Sequence, residues 1–196
     1  MTFRKILSLC LAALLVFSVP AGLAEATAAP DAAQEVYENP FVLMEIKDIH
    51  GEPFDVSIFS SKPFMLNVWA SWCGPCVSEM PDLDALSKEY GNRITMLGLM
   101  GDAVSVDTKG ELFLNQSEVD DARALYEKLG ISYPSLIPNA LMMGLMGQIQ
   151  MQYFPTTLFF NGEGYLVDMQ VGSKGKEDWA QAIDQVLAAI QEAKAE

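Results

Sequence analysis

Hydrophobic and polar positions alternate along the chain in a way that predicts both strands and helices. Apolar runs at residues 64–70 and 93–100 are typical of buried strands. Residues 158–160 and 165–171 predict a hairpin across a turn at Asn161–Gly164. Apolar residues at helical spacing predict helices over the segments 73–90, 117–129 and 176–194.

The order of these elements predicts the fold class α/β. Strands alternate with helices, and a hairpin followed by a helix closes the chain, so we expect a mixed central sheet flanked by helices. Residues 41–46 and 53–58 predict an N-terminal β-hairpin extension with His50, a solvated turn residue, at its tip. Residues 101–116 have no clear period and predict a loop or a short β excursion. Ser117 is the expected N-cap of the helix that follows, and Pro81 is expected to kink the first helix.

The Met-rich residues 139–153 predict a helical insertion. Met142, Met146 and their apolar neighbours recur at helical spacing, which favours a packed helix face, since methionine fills irregular gaps. An exposed surface for a partner and copper(I) binding by thioethers are the alternatives.

The first 26 residues differ from the rest and predict a secretory signal peptide. Two basic residues precede an apolar stretch at 6–19, and residues 24–26 offer small side chains for cleavage. This stretch is shorter than the roughly 17–25 residues of a transmembrane helix, although an uncleaved anchor stays open. Residues 27–35 predict a flexible spacer and residues 36–196 the folded domain. Cleavage would remove Cys10 and leave two cysteines, with no stray thiol that could mispair in an oxidising compartment.

The chain is strongly acidic, which excludes one class of partner. It carries 26 Asp and Glu residues against 12 Lys and Arg residues, a formal net charge of −14. Such a chain repels nucleic acid and anionic lipid surfaces, so we expect no nucleic-acid partner.

The strongest chemical signal is the pair Cys73 and Cys76, which follows the first long apolar strand. Cys73 is expected at a helix N-terminus, where unpaired backbone N–H groups and the positive end of the helix dipole favour a thiolate. Cys76 lies one turn further along and can attack a mixed disulfide on Cys73. Gly74 and Pro75 restrict the turn between the two thiols.

Two other interpretations of the Cys-x-x-Cys pair are weaker. A structural zinc site needs four ligands, and the remaining candidates are His50 and Cys10, which lies in the predicted signal peptide. A purely structural disulfide across so short a loop adds little loop-closure entropy. We therefore expect thiol redox chemistry with no cofactor and no metal.

The residues around this pair resemble the thioredoxin superfamily, and within it the extracytoplasmic TlpA/ResA-like branch. Residues 67–76, Asn-Val-Trp-Ala-Ser-Trp-Cys-Gly-Pro-Cys, are similar to the branch's typical Asn-Phe-Trp-Ala-(Ser/Thr)-Trp-Cys-x-Pro-Cys. Glu79 and Pro81 match its Glu-x-Pro, and residues 154–158, Phe-Pro-Thr-Thr-Leu, match the Pro-Thr-Thr before a strand. The resemblance covers the chain from about residue 41 to the last helix and implies a thioredoxin fold.

The resemblance implies a role for each matching residue. Cys73 is the exposed attacking thiol and Cys76 the resolving thiol, while Trp72 flanks and shields them. The segment that binds the client chain consists of Phe154, Pro155 and Thr156. Pro155 is a cis-proline opposite the dithiol, although most X–Pro bonds are trans.

One position departs from the cytosolic thioredoxins. Asn67 stands where they have a buried acid that assists proton transfer, so the proton acceptor for the Cys76 thiol is not obvious. Glu79 is a candidate acceptor, and an ordinary surface residue of the helix is the equally supported alternative.

These features predict a thiol–disulfide oxidoreductase outside the cytoplasm, either secreted or tethered to the membrane. The Gly-Pro dipeptide is that of thioredoxin, whose potential is around −270 mV against around −120 mV for the oxidant DsbA, which favours a reductase over an oxidase or isomerase. The resemblance implies a membrane electron donor of the CcdA/DsbD type and, as clients, disulfides in apocytochrome c or other secreted proteins. We expect a monomer.

Two related activities are alternatives. A peroxiredoxin-like peroxidase usually has its cysteine in a Thr-x-x-Cys context, which the residues before Cys73 do not match. A copper chaperone of the SCO type needs Cys-x-x-x-Cys and a ligand histidine, whereas this chain has Cys-x-x-Cys and only His50.

Overall fold

The structure is a computed structural model that describes residues 39–195. The predicted signal peptide, residues 1–26, and the predicted spacer, residues 27–35, lie outside the described residues. The described elements are, in order, β1 (Lys47–Asp48), β2 (Phe64–Trp69), α1 (Gly74–Glu89), β3 (Thr95–Met100), β4 (Val104–Val106), β5 (Leu112–Leu114), α2 (Gln116–Leu129), β6 (Ser135–Ile137), α3 (Ala140–Gln148), β7 (Thr156–Phe160), β8 (Leu166–Val171) and α4 (Lys176–Ala193). Two 3₁₀ helices, Pro40–Leu43 and Val56–Ser60, flank β1. Within residues 39–195 we find no helix with the length and apolar character needed to cross a membrane.

Six of the described strands form one mixed sheet in the order β1-β6-β3-β2-β7-β8. Strand β2 pairs in parallel with β3 and antiparallel with β7. Strand β3 pairs in parallel with β6, while β1 and β8 run antiparallel to their neighbours at the two edges. This is the predicted α/β architecture, and the fold is the thioredoxin fold.

Strand β2 lies at the centre of the sheet and is buried along its whole length. Its apolar run has no polar alternation because both faces of the strand are covered. Met65 and Trp69 belong to the core formed with α1, α2 and α4. The alternate side chains belong to a second core, formed with α3 and the two 3₁₀ helices: Phe64, Leu66 and Val68.

The predicted N-terminal β-hairpin is wrong in its two arms. Its turn is present, since the Phe54 N–H donates to the Ile46 carbonyl at 2.9 Å around the two-residue strand β1. Half of each arm, residues 41–43 and 56–58, is 3₁₀ helix, because the side chains of Asn39 and Asp55 accept backbone N–H groups at the two helix starts. His50 is exposed in the turn, as predicted. Local capping of this kind is not visible in the alternation of hydrophobic residues.

Two segments with less certain predictions form defined elements. Residues 101–116 contain the antiparallel hairpin β4–β5, which is the predicted short β excursion. The Met-rich segment forms α3, which begins after Asn139 and ends at Gln148, earlier than predicted. Met142 and Met146 are buried in the core, which confirms the packed-face interpretation.

Helix α2 begins one residue earlier than predicted. Asn115 occupies the N-cap position, so the assignment of Ser117 as the N-cap is wrong. Gly130 ends the helix with φ of 65°, a left-handed conformation that glycine adopts without strain. Pro81 lies inside the continuous helix α1, and the kink expected there stays a prediction.

The first 3₁₀ helix is fixed to the core by one aromatic ring. Phe41 is 4% exposed, and its ring centroid lies 5.4, 5.1 and 5.0 Å from those of Phe59, Phe64 and Phe160. Leu43, on the same short helix, is 69% exposed. The segment is therefore part of the domain and not a loose extension of it.

We expect the Phe41→Ala variant to lose about 3–5 kcal/mol of unfolding free energy, because it leaves a cavity among three packed rings. Leu43→Ala is the matched control and should change the unfolding free energy by no more than about 0.5 kcal/mol. Urea unfolding monitored by tryptophan fluorescence measures both values. Equal effects of the two substitutions would contradict the packing described for Phe41.

Candidate active site

The two cysteines lie where β2 ends and α1 begins. Cys73 is the N-cap residue of α1, and the Cys76 N–H donates to the Cys73 Sγ at 3.2 Å. Gly74 and Pro75 are the first two residues of the helix, where the missing N–H of proline costs no hydrogen bond. In the reduced protein the same N–H and the positive end of the helix dipole favour a thiolate at Cys73.

The structure describes the oxidised form, in which Cys73 and Cys76 are joined by a disulfide. The two Cα atoms are 5.3 Å apart. Cys73 is 5% exposed and Cys76 is fully buried. Cys73 is thus the outer sulfur, as expected of an attacking thiol, but in this oxidised form it is far less exposed than the sequence prediction states.

The Phe154–Pro155 peptide bond is cis. Strand β7 runs antiparallel to β2, with Thr156 opposite Val68. The start of β7 therefore lies at the same end of the sheet as the end of β2, which leads into the cysteines. The Pro155 carbonyl accepts the Gly172 N–H at 2.9 Å. Thr156 is buried, and its hydroxyl donates to the Tyr153 carbonyl at 2.7 Å. This side chain therefore stabilises the loop that contains Pro155.

Two aromatic side chains are in contact at this end of the sheet. Trp72 is 68% exposed, and its ring packs edge-on against that of Phe154, with centroids 5.7 Å apart. The Phe154 ring also lies directly on Gly101, where an added Cβ would come within 2.6 Å of the ring. Gly101 therefore lets Phe154 reach from the proline loop to the end of β3, a role that the sequence analysis did not detect.

Glu79 is 2% exposed, so its interpretation as a surface residue is wrong. Its Oε1 accepts from Asn67 Nδ2 at 3.0 Å, and its Oε2 accepts from the Lys174 N–H and from Trp179 Nε1, both at 3.0 Å. Burial raises the pKa of this carboxyl, and the hydrogen bonds from Trp179, Lys174 and Asn67 oppose that rise. Glu79 lies three residues after Cys76, so both are on one face of α1.

Asn67 occupies the centre of this buried polar group. Its Nδ2 also donates to the Thr157 Oγ1 at 2.9 Å, while its Oδ1 is buried and has no hydrogen-bond partner among residues 39–195. The amide thus connects β2 to α1 and to β7. It cannot take up a proton at neutral pH, which leaves Glu79 as the titratable group of this cluster.

Three further polar side chains that the sequence analysis did not single out lie beside the cysteine turn. Ser71, two residues before Cys73, contacts the carboxylates of Asp102 and Glu118. The two acids come from the end of β3 and the first turn of α2, and nothing in their local sequence indicates that they meet. In the part of the chain that the structure describes, no group of three or more His, Cys, Asp or Glu side chains could hold a metal ion.

Comparisons with known proteins give a consistent family. The family model described as Redoxin matches residues 24–187. The chain is 26% identical over 139 residues to the thioredoxin-like protein YneN of Bacillus subtilis, covering 71% of this chain and 74% of that protein. It is 24% identical over 133 residues to the thiol–disulfide oxidoreductase ResA of Bacillus thuringiensis, covering 67% and 68%.

Solved structures show the same likeness. The exposed lipoprotein thioredoxin of Streptococcus pneumoniae matches with a TM-score of 0.54 and 29% identity, covering 72% of this chain and 98% of that one. The resemblance inferred from the cysteine motif is therefore confirmed.

The raised pKa of Glu79 predicts a pH dependence of stability. Between the ordinary pKa of glutamate, roughly 4.3, and the raised value in the folded protein, only the unfolded chain releases this proton. The contribution of Glu79 to the unfolding free energy therefore decreases as the pH rises through this window. The Glu79→Gln variant lacks this loss, so its unfolding free energy relative to wild type should increase with pH.

Urea unfolding from pH 4 to pH 8 measures this difference. Glu127→Gln, which changes an exposed glutamate of α2, is the matched control and should differ from wild type by a constant amount. A difference between Glu79→Gln and wild type that stays flat or decreases with pH would contradict the effect assigned to burial.

Proposed function

The chain belongs to the Redoxin family and is a thiol–disulfide oxidoreductase, and we propose that it acts outside the cytoplasm as a reductase of disulfides in client proteins. The observation that carries this proposal is the Cys73–Cys76 pair at the N-terminus of α1, at the end of the sheet where β7 begins. The dithiol carries the electrons, so the reaction needs no bound cofactor.

The reaction begins with the reduced dithiol. The Cys73 thiolate attacks one sulfur of the client disulfide, forming a mixed disulfide and releasing the first client thiolate, which takes up a proton. Cys76 then loses its proton and attacks the Cys73 sulfur, releasing the second client thiolate. Two electrons pass from the dithiol to the client, and the Cys73–Cys76 disulfide remains.

Glu79 is the group that accepts the Cys76 proton in this proposal. Cys76 is fully buried, so its proton has no direct access to water. The Glu79 carboxylate lies one helical turn away on the same face, and its raised pKa makes it a stronger base than an exposed glutamate. Asn67, Lys174 and Trp179 hold the carboxylate in this place.

The client chain binds across the surface where the rings of Trp72 and Phe154 meet. Trp72 offers an exposed ring beside Cys73, and Phe154 extends this apolar surface toward Gly101. Trp72 and Phe154 thus form the contact region, whereas Pro155 and Thr156, which follow Phe154 in the chain, are buried. An unfolded or extended client segment can lie on such a surface without a deep pocket.

The direction and location of the reaction have separate support. The Gly74–Pro75 dipeptide is that of thioredoxin, a reductant at around −270 mV. The N-terminal pattern predicts export, and a similar solved protein is named an exposed lipoprotein thioredoxin. A reductase in that location needs electrons delivered through the membrane, and we assign this role to a donor of the CcdA/DsbD type acting on a monomer.

We expect the Cys73–Cys76 couple to have a reduction potential near that of thioredoxin, around −270 mV. Equilibration in dithiothreitol or glutathione buffers, followed by mass spectrometry of the trapped thiols, measures this value. A potential near that of DsbA, around −120 mV, would overturn the assignment as a reductase and indicate an oxidant of secreted proteins.

The order of attack gives a second test. The reduced Cys76→Ser variant should accumulate a mixed disulfide with a disulfide-bonded protein such as insulin, because the resolving thiol is absent. The matched Cys73→Ser variant should accumulate little, since the remaining thiol is buried. Non-reducing electrophoresis detects the adducts, and a stronger adduct with Cys73→Ser would reverse the two roles.

A further inference from the structure

The Ser71 hydroxyl lies between two carboxyl groups. Its Oγ is 2.9 Å from Asp102 Oδ2 and 2.6 Å from Glu118 Oε2. The Ser71 backbone N–H also donates to Asp102 Oδ2, at 3.0 Å. Asp102 thus accepts a hydrogen bond from the backbone of the turn that leads to Cys73, and the Ser71 hydroxyl connects Asp102 to Glu118.

These contacts require a proton on one of the two acids. A serine hydroxyl has a single proton to donate, so it can form a hydrogen bond as donor to only one carboxylate. The other short oxygen–oxygen contact needs a proton from the second carboxyl group. With both acids ionised, one contact would place two oxygens together without a proton, and it would open.

The surroundings favour this shared proton. Burial raises the pKa of Asp102, hydrogen bonds from Ser71 oppose the rise, and the negative charge of Glu118 adds to it. The Asp102 Oδ1 is buried and has no hydrogen-bond partner among residues 39–195. Within the same residues no lysine, arginine or histidine forms a hydrogen bond or ion pair with Asp102 or Glu118, so no cation compensates a second negative charge.

The two acids are held in place by the base of the β4–β5 hairpin. Asn115, the N-cap residue of α2, makes no side-chain hydrogen bond to that helix. Its Nδ2 donates to the Asp102 carbonyl at 2.7 Å and contacts the Ser105 Oγ at 2.9 Å. The Asn115 N–H donates to the Ala103 carbonyl at 2.8 Å. The hairpin thereby fixes the first turn of α2, and with it Glu118, against the end of β3.

We propose that Ser71, Asp102 and Glu118 are positioning residues that share one proton and hold the turn that presents Cys73. Loss of this proton opens the contact with Ser71 and leaves two negative charges near the N-terminus of α1. Both changes oppose formation of the Cys73 thiolate. The inference rests on the proposed function only in taking Cys73 as the attacking thiol.

Alkylation of the reduced protein by iodoacetamide from pH 4.5 to pH 9, with Cys73 followed by peptide mass spectrometry, tests the proposal. Glu118→Gln keeps a neutral donor beside Ser71 at every pH. In this variant Cys73 should be alkylated roughly two- to fourfold faster than in wild type in the middle of this pH range. The midpoint of its profile of alkylation rate against pH should lie at lower pH. Asp121→Asn, an exposed charge removed one turn further along α2, is the matched control and should follow the wild-type profile.

A double-mutant cycle with Ser71→Ala separates the shared proton from a general effect of charge. The rate increase caused by Glu118→Gln should be smaller in the Ser71→Ala background, because the hydroxyl that couples the two acids is gone and only the removed charge still acts. Circular dichroism of each variant reports whether it is folded, and Glu118→Gln alone still tests the proposal if Ser71→Ala does not fold.

An unchanged profile in Glu118→Gln, an equal effect in both backgrounds, or an equal effect of Asp121→Asn would each overturn the positioning role. Alkylation reports the Cys73 thiolate and not the direction of electron transfer. Such a result would therefore leave the reductase proposal standing, which the reduction potential tests separately.

Discussion

The buried carboxylate of Glu79 is the interaction on which much of this structure depends. It accepts hydrogen bonds from Asn67 on β2, from the backbone of Lys174, and from Trp179 on α4. A buried acid without partners is strongly destabilising, so the loss of any of these three donors would lower the stability of the domain. The same contacts hold the carboxylate, whose residue lies one helical turn after Cys76. Stability and the proposed proton transfer therefore rest on one group of atoms.

The pairing of β2 with its two neighbours then assembles the site. Its parallel neighbour β3 ends at Met100 and is followed by Gly101 and Asp102, and its antiparallel neighbour β7 begins after Pro155. Three chain segments far apart in sequence thus meet at one end of the central strands. At this end Trp72 and Phe154 form an aromatic contact, and Asp102 forms a polar contact with Ser71.

Several parts of this arrangement could be predicted from the sequence because their causes are local. An apolar strand followed by Cys-x-x-Cys and a helix predicts Cys73 at the helix N-terminus, and the structure has it there. The helical spacing of the methionines predicted the packed face of α3. The N-terminal hairpin was wrong because caps from Asn39 and Asp55 form 3₁₀ turns, and the burial of Phe41 depends on rings contributed by distant segments.

The sequence by itself determined the helices and the strands of the central sheet other than β1, the order of these elements and hence the fold class, and the reactive pair, since each element follows from residues within a few positions of one another. Only the tertiary structure decided that Glu79 is buried, since Trp179 lies 100 residues away along the chain. It likewise decided that Gly101 supports Phe154 and that Asp102 and Glu118 meet at Ser71. Contacts of this kind depend on strand register and helix packing. No local pattern of residues encodes which distant side chains these will bring together.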